Sequence, residues 1–191
     1  MIKTLACALL AGLALPAMAQ PTLSLPAEAR IDVQVIDIIS LDQDTPRLSN
    51  VLLRPVHRTS SSATHHLPDY CLITADAHLD DTRMQLSATT VTCIAAEGDT
   101  RQIFSGELSA AAFERDGGFG LDVCTTSRDG QCIRAELTPA HVFQLSVGRD
   151  TEIAALENPS KQINEQRRQA DGAGAANPLS SSRPDPDEEL E

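Results

Sequence analysis

Any chemistry this chain performs would have to run through five histidines, a serine cluster and its cysteines. His57, His65 and His66 flank one loop, and His78 stands between Asp76 and Asp80 on one face of an alternating run, so imidazoles and carboxylates could converge on a metal ion. Adjacent histidines in an extended segment point apart, however, and no H-x-x-x-H pair sets two rings on one helical face. Polar loop residues are the expected reading. The alternative is a metal- or small-ligand-binding module built on His65, His66 and His78. Ser60-Ser61-Ser62 lies in a polar loop with no G-x-S-x-G elbow to activate a nucleophile. Asp80-Asp81 and Asp116 sit at turn signals, where carboxylates cap backbone amides, and lack the longer acidic pattern of a calcium loop. The expectation is therefore no catalytic residue, no cofactor and no enzyme.

The cysteines carry more. Lys3, the apolar run Leu5 to Leu15 and Ala17-Met18-Ala19 read as an export signal over residues 1–19, too short in its apolar part for a transmembrane anchor. Cys7 lies inside that run and not at its end, so lipid attachment is not expected. Four of the five cysteines remain: Cys71, Cys93, Cys124 and Cys132. An even number in an exported chain points to two disulfides, and of three connectivities we expect Cys71 to Cys93 and Cys124 to Cys132, because each closes a local hairpin. Each bridge would contribute roughly 3 kcal/mol by the chain-entropy model. Neither a C-x-x-C redox pair nor zinc-type spacing is present.

The elements that position these residues follow from alternation. From Tyr70 to Ile94, Cys71, Ile73, Ala75, Ala77 and Leu79 fall on one face, and the return run carries Met84, Leu86, Ala88, Thr90, Thr92 and Ile94 on alternate positions. Folding about Asp81-Thr82-Arg83 sets Cys71 opposite Cys93 in one long β-hairpin. Upstream, residues 20–30 read as a flexible or extended leader, Ile31 to Ser40 as a strand with a bulge near Val35, and Asn50 to His57 as a short strand that Pro55 confines to an edge or bulge. Downstream, Gln102 to Phe113 forms a strand with Phe104, Leu108, Ala110 and Ala112 on one side, and Gly106 marks a bend or close approach. Phe119, Leu121 and Val123 alternate into Cys124. Folding about Arg128 sets Cys124 opposite Cys132, and His141 to Val147 with Thr151 to Leu156 closes the body. These short strands imply one all-β domain over residues 31–157, an antiparallel β-sandwich or small β-barrel. Residues 158–191 read as a polar, acidic, disordered tail that could begin with a short helix.

The formal net charge of −12, more negative still without Lys3, repels phosphates and argues against nucleic acid or anionic lipid as partner. Aromatics are few: Tyr70, Phe104, Phe113, Phe119 and Phe143, with no tryptophan. That leaves little for a sugar platform or the girdles of an outer-membrane barrel.

The stretch from His66 to Leu121 resembles the TraB/TrbI pilus-assembly family of type IV secretion systems. Leu67, Pro68 and Cys71 are similar to that family's Leu-Pro-x-x-Cys opening, which leads through small residues to an Arg, here Arg83, and a strand ending near Cys93. Gly106 resembles its Gly-Tyr strand, and Asp116, Gly117, Gly120 and Leu121 its Asp-Gly-x-x-Gly-Leu turn. The chain departs from the family in having a cleavable signal and no second apolar segment. The resemblance implies a short, exported relative of the barrel domain: a non-enzymatic periplasmic structural or accessory subunit of a conjugative apparatus, associating with the outer-membrane core complex, other secretion-channel proteins or further copies of itself.

Overall fold

The computed structural model describes residues 20–59, 61–97, 100–156, 163–164 and 166–169. The expected export signal lies outside the described residues, as does the expected tail apart from helical backbone at 163–164 and 166–169. Eleven strands make up the body: β1 (Thr22–Leu25), β2 (Arg30–Val35), β3 (Ile39–Asp42), β4 (Arg47–Pro55), β5 (Tyr70–Asp80), β6 (Arg83–Glu97), β7 (Thr100–Phe113), β8 (Cys124–Arg128), β9 (Gln131–Leu137), β10 (Phe143–Val147) and β11 (Thr151–Leu156). All their pairings are antiparallel.

The expected hairpin is its centre. Cys71 faces Cys93 with Cα atoms 4.0 Å apart and the disulfide formed, and Cys71, Ile73, Ala75 and Ala77 all point into the core. The return strand differs from the reading. Thr74 pairs with Thr90 but Ala75 with Ala88, so Thr89 is an extra residue, and its hydroxyl donates to the Thr74 carbonyl at 3.1 Å. This bulge inverts the pattern. Met84, Leu86 and Ala88 point inward before it, Val91 and Cys93 after it, and Thr90, Thr92 and Ile94 are turned out. The turn is correspondingly shorter than expected, since Asp80 pairs with Arg83 across Asp81-Thr82.

Similar irregularities cross the neighbouring strands at the same level. β4 carries an extra residue between Leu48 and Val51, with Asn50 at φ 61° and its amide donating to Asp76 Oδ1 at 3.3 Å. β7 carries one between Glu107 and Ala110. Aligned bulges bend a sheet, and this one closes. β2, β4, β5, β6, β7 and β10 pair in that cyclic order, β10 returning to β2, as a six-stranded barrel. β11 continues β10 along β7, and β1 pairs with β11. Ile31, Val33, Leu53, Ile73, Val91, Phe104, Phe143 and Leu145 fill the interior.

Several local expectations are corrected. The leader is extended but not free, because β1 is hydrogen-bonded to β11 and Leu25 and Ala29 are buried. Ile31 to Ser40 is two strands, not one bulged strand: β2 stops at Val35, Ile36 and Ile38 are exposed, and β3 enters a second sheet ordered β3-β9-β8. β4 lies between β2 and β5, so Pro55 does not mark an edge strand; it sits at the end, beyond the last β4–β5 pair of Leu53 with Ile73, where no ladder donor is required. Phe119 and Leu121 make isolated bridges and no strand. The Cys124–Cys132 disulfide forms, but diagonally. The turn is Asp129-Gly130, Ser127 opposes Cys132, and Cys124 opposes Ala135 across two irregular steps. The small sheet closes the β5–β6 turn end of the barrel, where the Cys132 amide donates to the Asp81 carbonyl and Leu41, Ala135 and Leu137 are buried.

Candidate interaction surface

The histidines do not assemble as a set. His57 and His66 meet in the loop between β4 and β5, ring centroids 5.3 Å apart, and His57 Nε2 lies 2.9 Å from Asp69 Oδ1. His65 turns away to Thr64, Nδ1 to Oγ1 3.0 Å, with its amide on the Arg30 carbonyl. His78 sits near the far end of β5, about 26 Å along the strand from Tyr70 at an ordinary rise. The candidate trio His65, His66 and His78 is therefore dispersed, and among the described residues no group of three or more His, Cys, Asp or Glu could hold a metal ion.

The same loop crosses the outside of β2 and β10 and buries a polar cluster that the sequence did not single out. Asp32, 2 % exposed, accepts from Gln144 Nε2 at 3.0 Å and from Arg58 Nε at 3.3 Å, and Gln144 also donates to Ser62 Oγ at 2.9 Å. Burial pushes the Asp32 carboxyl up, but the Ser61 and Gln144 hydrogen bonds and the Arg58 charge outweigh it and hold the group below its usual range. Nearby, His141 Nε2 is 3.0 Å from Glu114 Oε2. Among the described residues the hydroxyl on a histidine, Thr64, and the carboxylates on histidines, Asp69 and Glu114, belong to different rings. Nucleophile, base and orienting carboxylate are not joined in one relay. The cleft lined by Arg30, Ser62, Glu114, Arg115 and Gln144 has a volume of about 120 Å³, below that of an ordinary ligand pocket.

What the fold does assemble is an outward apolar face. Odd positions of β5 point inward, which turns Tyr70 and Leu72 out, and the Thr89 bulge turns Ile94 out beside them. Ladder register then lines up one row across four strands. Tyr70 opposes Ile94, Ile94 opposes Ile103, and Ile103 opposes Leu156. Their exposures are 74 %, 43 %, 38 % and 53 %. Directly opposed side chains lie about 5 Å apart, so the row is continuous. The next row is Leu72, Thr92 and Ser105, with the two hydroxyls hydrogen-bonded to each other at 2.9 Å. Beyond it Leu52 opposes Thr74, and the Ile36 amide donates to the Leu52 carbonyl. Among the described residues, charged side chains at its fringe include Asp69, Arg54 and Glu107 with Arg149.

No protein-family model matches this chain, and no curated protein matches it. Two disulfides fit an oxidising compartment, extracellular or periplasmic. Among the described residues no helix is long and apolar enough to cross a membrane.

Proposed function

We propose that this protein is a non-enzymatic, exported periplasmic subunit of a conjugative or type IV secretion apparatus, working by contact with channel components of the outer-membrane core complex. The observation that carries the reading is where the family-like residues stand. Arg83 Nη1 donates to the Gly120 carbonyl at 3.2 Å and Nη2 to Asp116 Oδ2 at 3.4 Å, while Leu121 pairs with Met84 and Cys71 with Cys93. Leu67 is buried beneath the loop that leads into β5. Arg83, Asp116, Gly120 and Leu121 thus meet in one device, which clamps the 114–121 turn against the start of β6, while Cys71 and Cys93 pin the opposite end of the same hairpin. Such a motif serves architecture, as a subunit's would. The outward apolar face supplies the contact, since a continuous apolar patch of several hundred Å² is often a functional surface.

The test is affinity purification of the tagged full chain from cells carrying a conjugation system, together with mating after deletion of its gene. Recovery of channel components and a drop in transfer of at least about tenfold are expected. Undiminished transfer with no channel protein recovered would remove the proposal.

A further inference from the structure

The face formed by Tyr70, Ile94, Ile103 and Leu156 has to be covered by something, and the chain's own remainder is poorly suited to it. Beyond Leu156 the sequence offers only Ile163, Leu179 and Leu190 as large aliphatic residues, the last within an acidic run, and Ile163 is itself 49 % exposed. We propose that the face is homotypic and seats the same face of a second copy of this chain. Three observations favour that occupant. Tyr70, Leu72, Ile94, Ile103 and Leu156 expose on the order of 500 Å² by their fractional exposures, enough for the apolar centre of an interface that covers roughly 800 Å² per partner. The two central rows contain no charged side chain, so an acidic protein meets itself there without burying an ion. Thr92 and Ser105 satisfy each other, so the polar atoms in the middle lose little on leaving water. A two-fold axis through the face would set row against row, the self-complementary geometry of an isologous dimer.

The chain contains a single tyrosine and no tryptophan, so its intrinsic fluorescence reports on Tyr70 alone, at one end of this row. Acrylamide quenching and light-scattering mass of the purified full chain, followed from roughly 1 to 100 µM, test the inference directly. The mass should double, and the quenching constant should fall about threefold as the ring is covered. Ile103→Lys should keep the monomer mass and the high quenching constant throughout, with an unchanged melting curve; Leu156→Lys, at a more exposed position, repeats the test should the first variant fold poorly. Three results would overturn the inference: a monomer at the highest concentration with Tyr70 open, a monomer with Tyr70 protected throughout, or a dimer that persists in both variants with Tyr70 open. The inference shares its face with the proposed channel role, but the measurement uses the purified protein alone. A monomer therefore defeats the homotypic contact and leaves channel docking to the mating assay, and an undiminished mating efficiency leaves the dimer standing.

Discussion

Asp32 shows how much one side chain can hold. It is buried with an amide and a guanidinium as partners, and these tie β2, β10 and the 56–66 loop together. Asp32→Ala leaves Gln144 and Arg58 without their acceptor, and a loss of about 3 kcal/mol in urea unfolding is expected. Because the folded carboxyl titrates below its unfolded value, its contribution is present above about pH 4 and is lost as pH falls through the folded pKa. Asp32→Asn should therefore be less stable than the native protein at pH 7, with the difference narrowing on acidification below pH 4; a constant difference would contradict the assignment. Gly120 is a second such residue. At φ 76°, with an added Cβ 3.2 Å from the Met84 carbonyl, Gly120→Ala should cost about 2 kcal/mol and loosen the clamp that Arg83 makes. Alternation alone presents Asp32 as one more polar residue between Ile31 and Val33. Its burial depends on a loop whose Arg58 lies 26 residues downstream, so no local pattern announces it.

Among the elements, the hairpin was legible because alternation and cysteine position both specify it. Its bulge was not, because Thr89 is an ordinary strand residue with no glycine or proline to mark an insertion. Yet the sequence contains the contradiction the bulge resolves: Met84 and Cys93 have opposite parity, and both belong inside. Of the bend or close approach that Gly106 signals, the structure shows the close approach: an added Cβ there would lie 3.2 Å from the Ile153 side chain. β3 was missed because Ile36 and Ile38 look like the next core positions although the strand has already ended. The two disulfides should differ in weight. Cys71–Cys93 spans 22 residues and Cys124–Cys132 spans 8, so replacing each pair by alanine should cost about 3.4 and 2.5 kcal/mol. The first pair should cost more still from the cavity left in the core, as differential scanning calorimetry of both variants would show.

For the whole molecule, closure decides what is left for recognition. A closed barrel hides its own ladder edges, so outside the terminal strands β1, β3 and β8 recognition rests on side-chain faces. The apolar row could not be read from the sequence, because Ile94, Ile103 and Leu156 each resemble core residues until register and closure show that they stand together on the outside. Two copies of a chain with a formal net charge of −12 repel each other across a neutral interface, so salt should strengthen self-association. Raising ionic strength from about 0.02 to 0.3 M should tighten it several-fold in sedimentation equilibrium, whereas an interface held by ion pairs would weaken. The claim that this face is where the protein makes its contacts is tested most directly by photo-crosslinking in the producing cell, from a reactive residue placed at position 103 on the row and, as control, at exposed Glu136 on the small sheet. Discrete adducts from position 103 that are absent from position 136 are expected; equal or absent cross-linking at the two positions would contradict it.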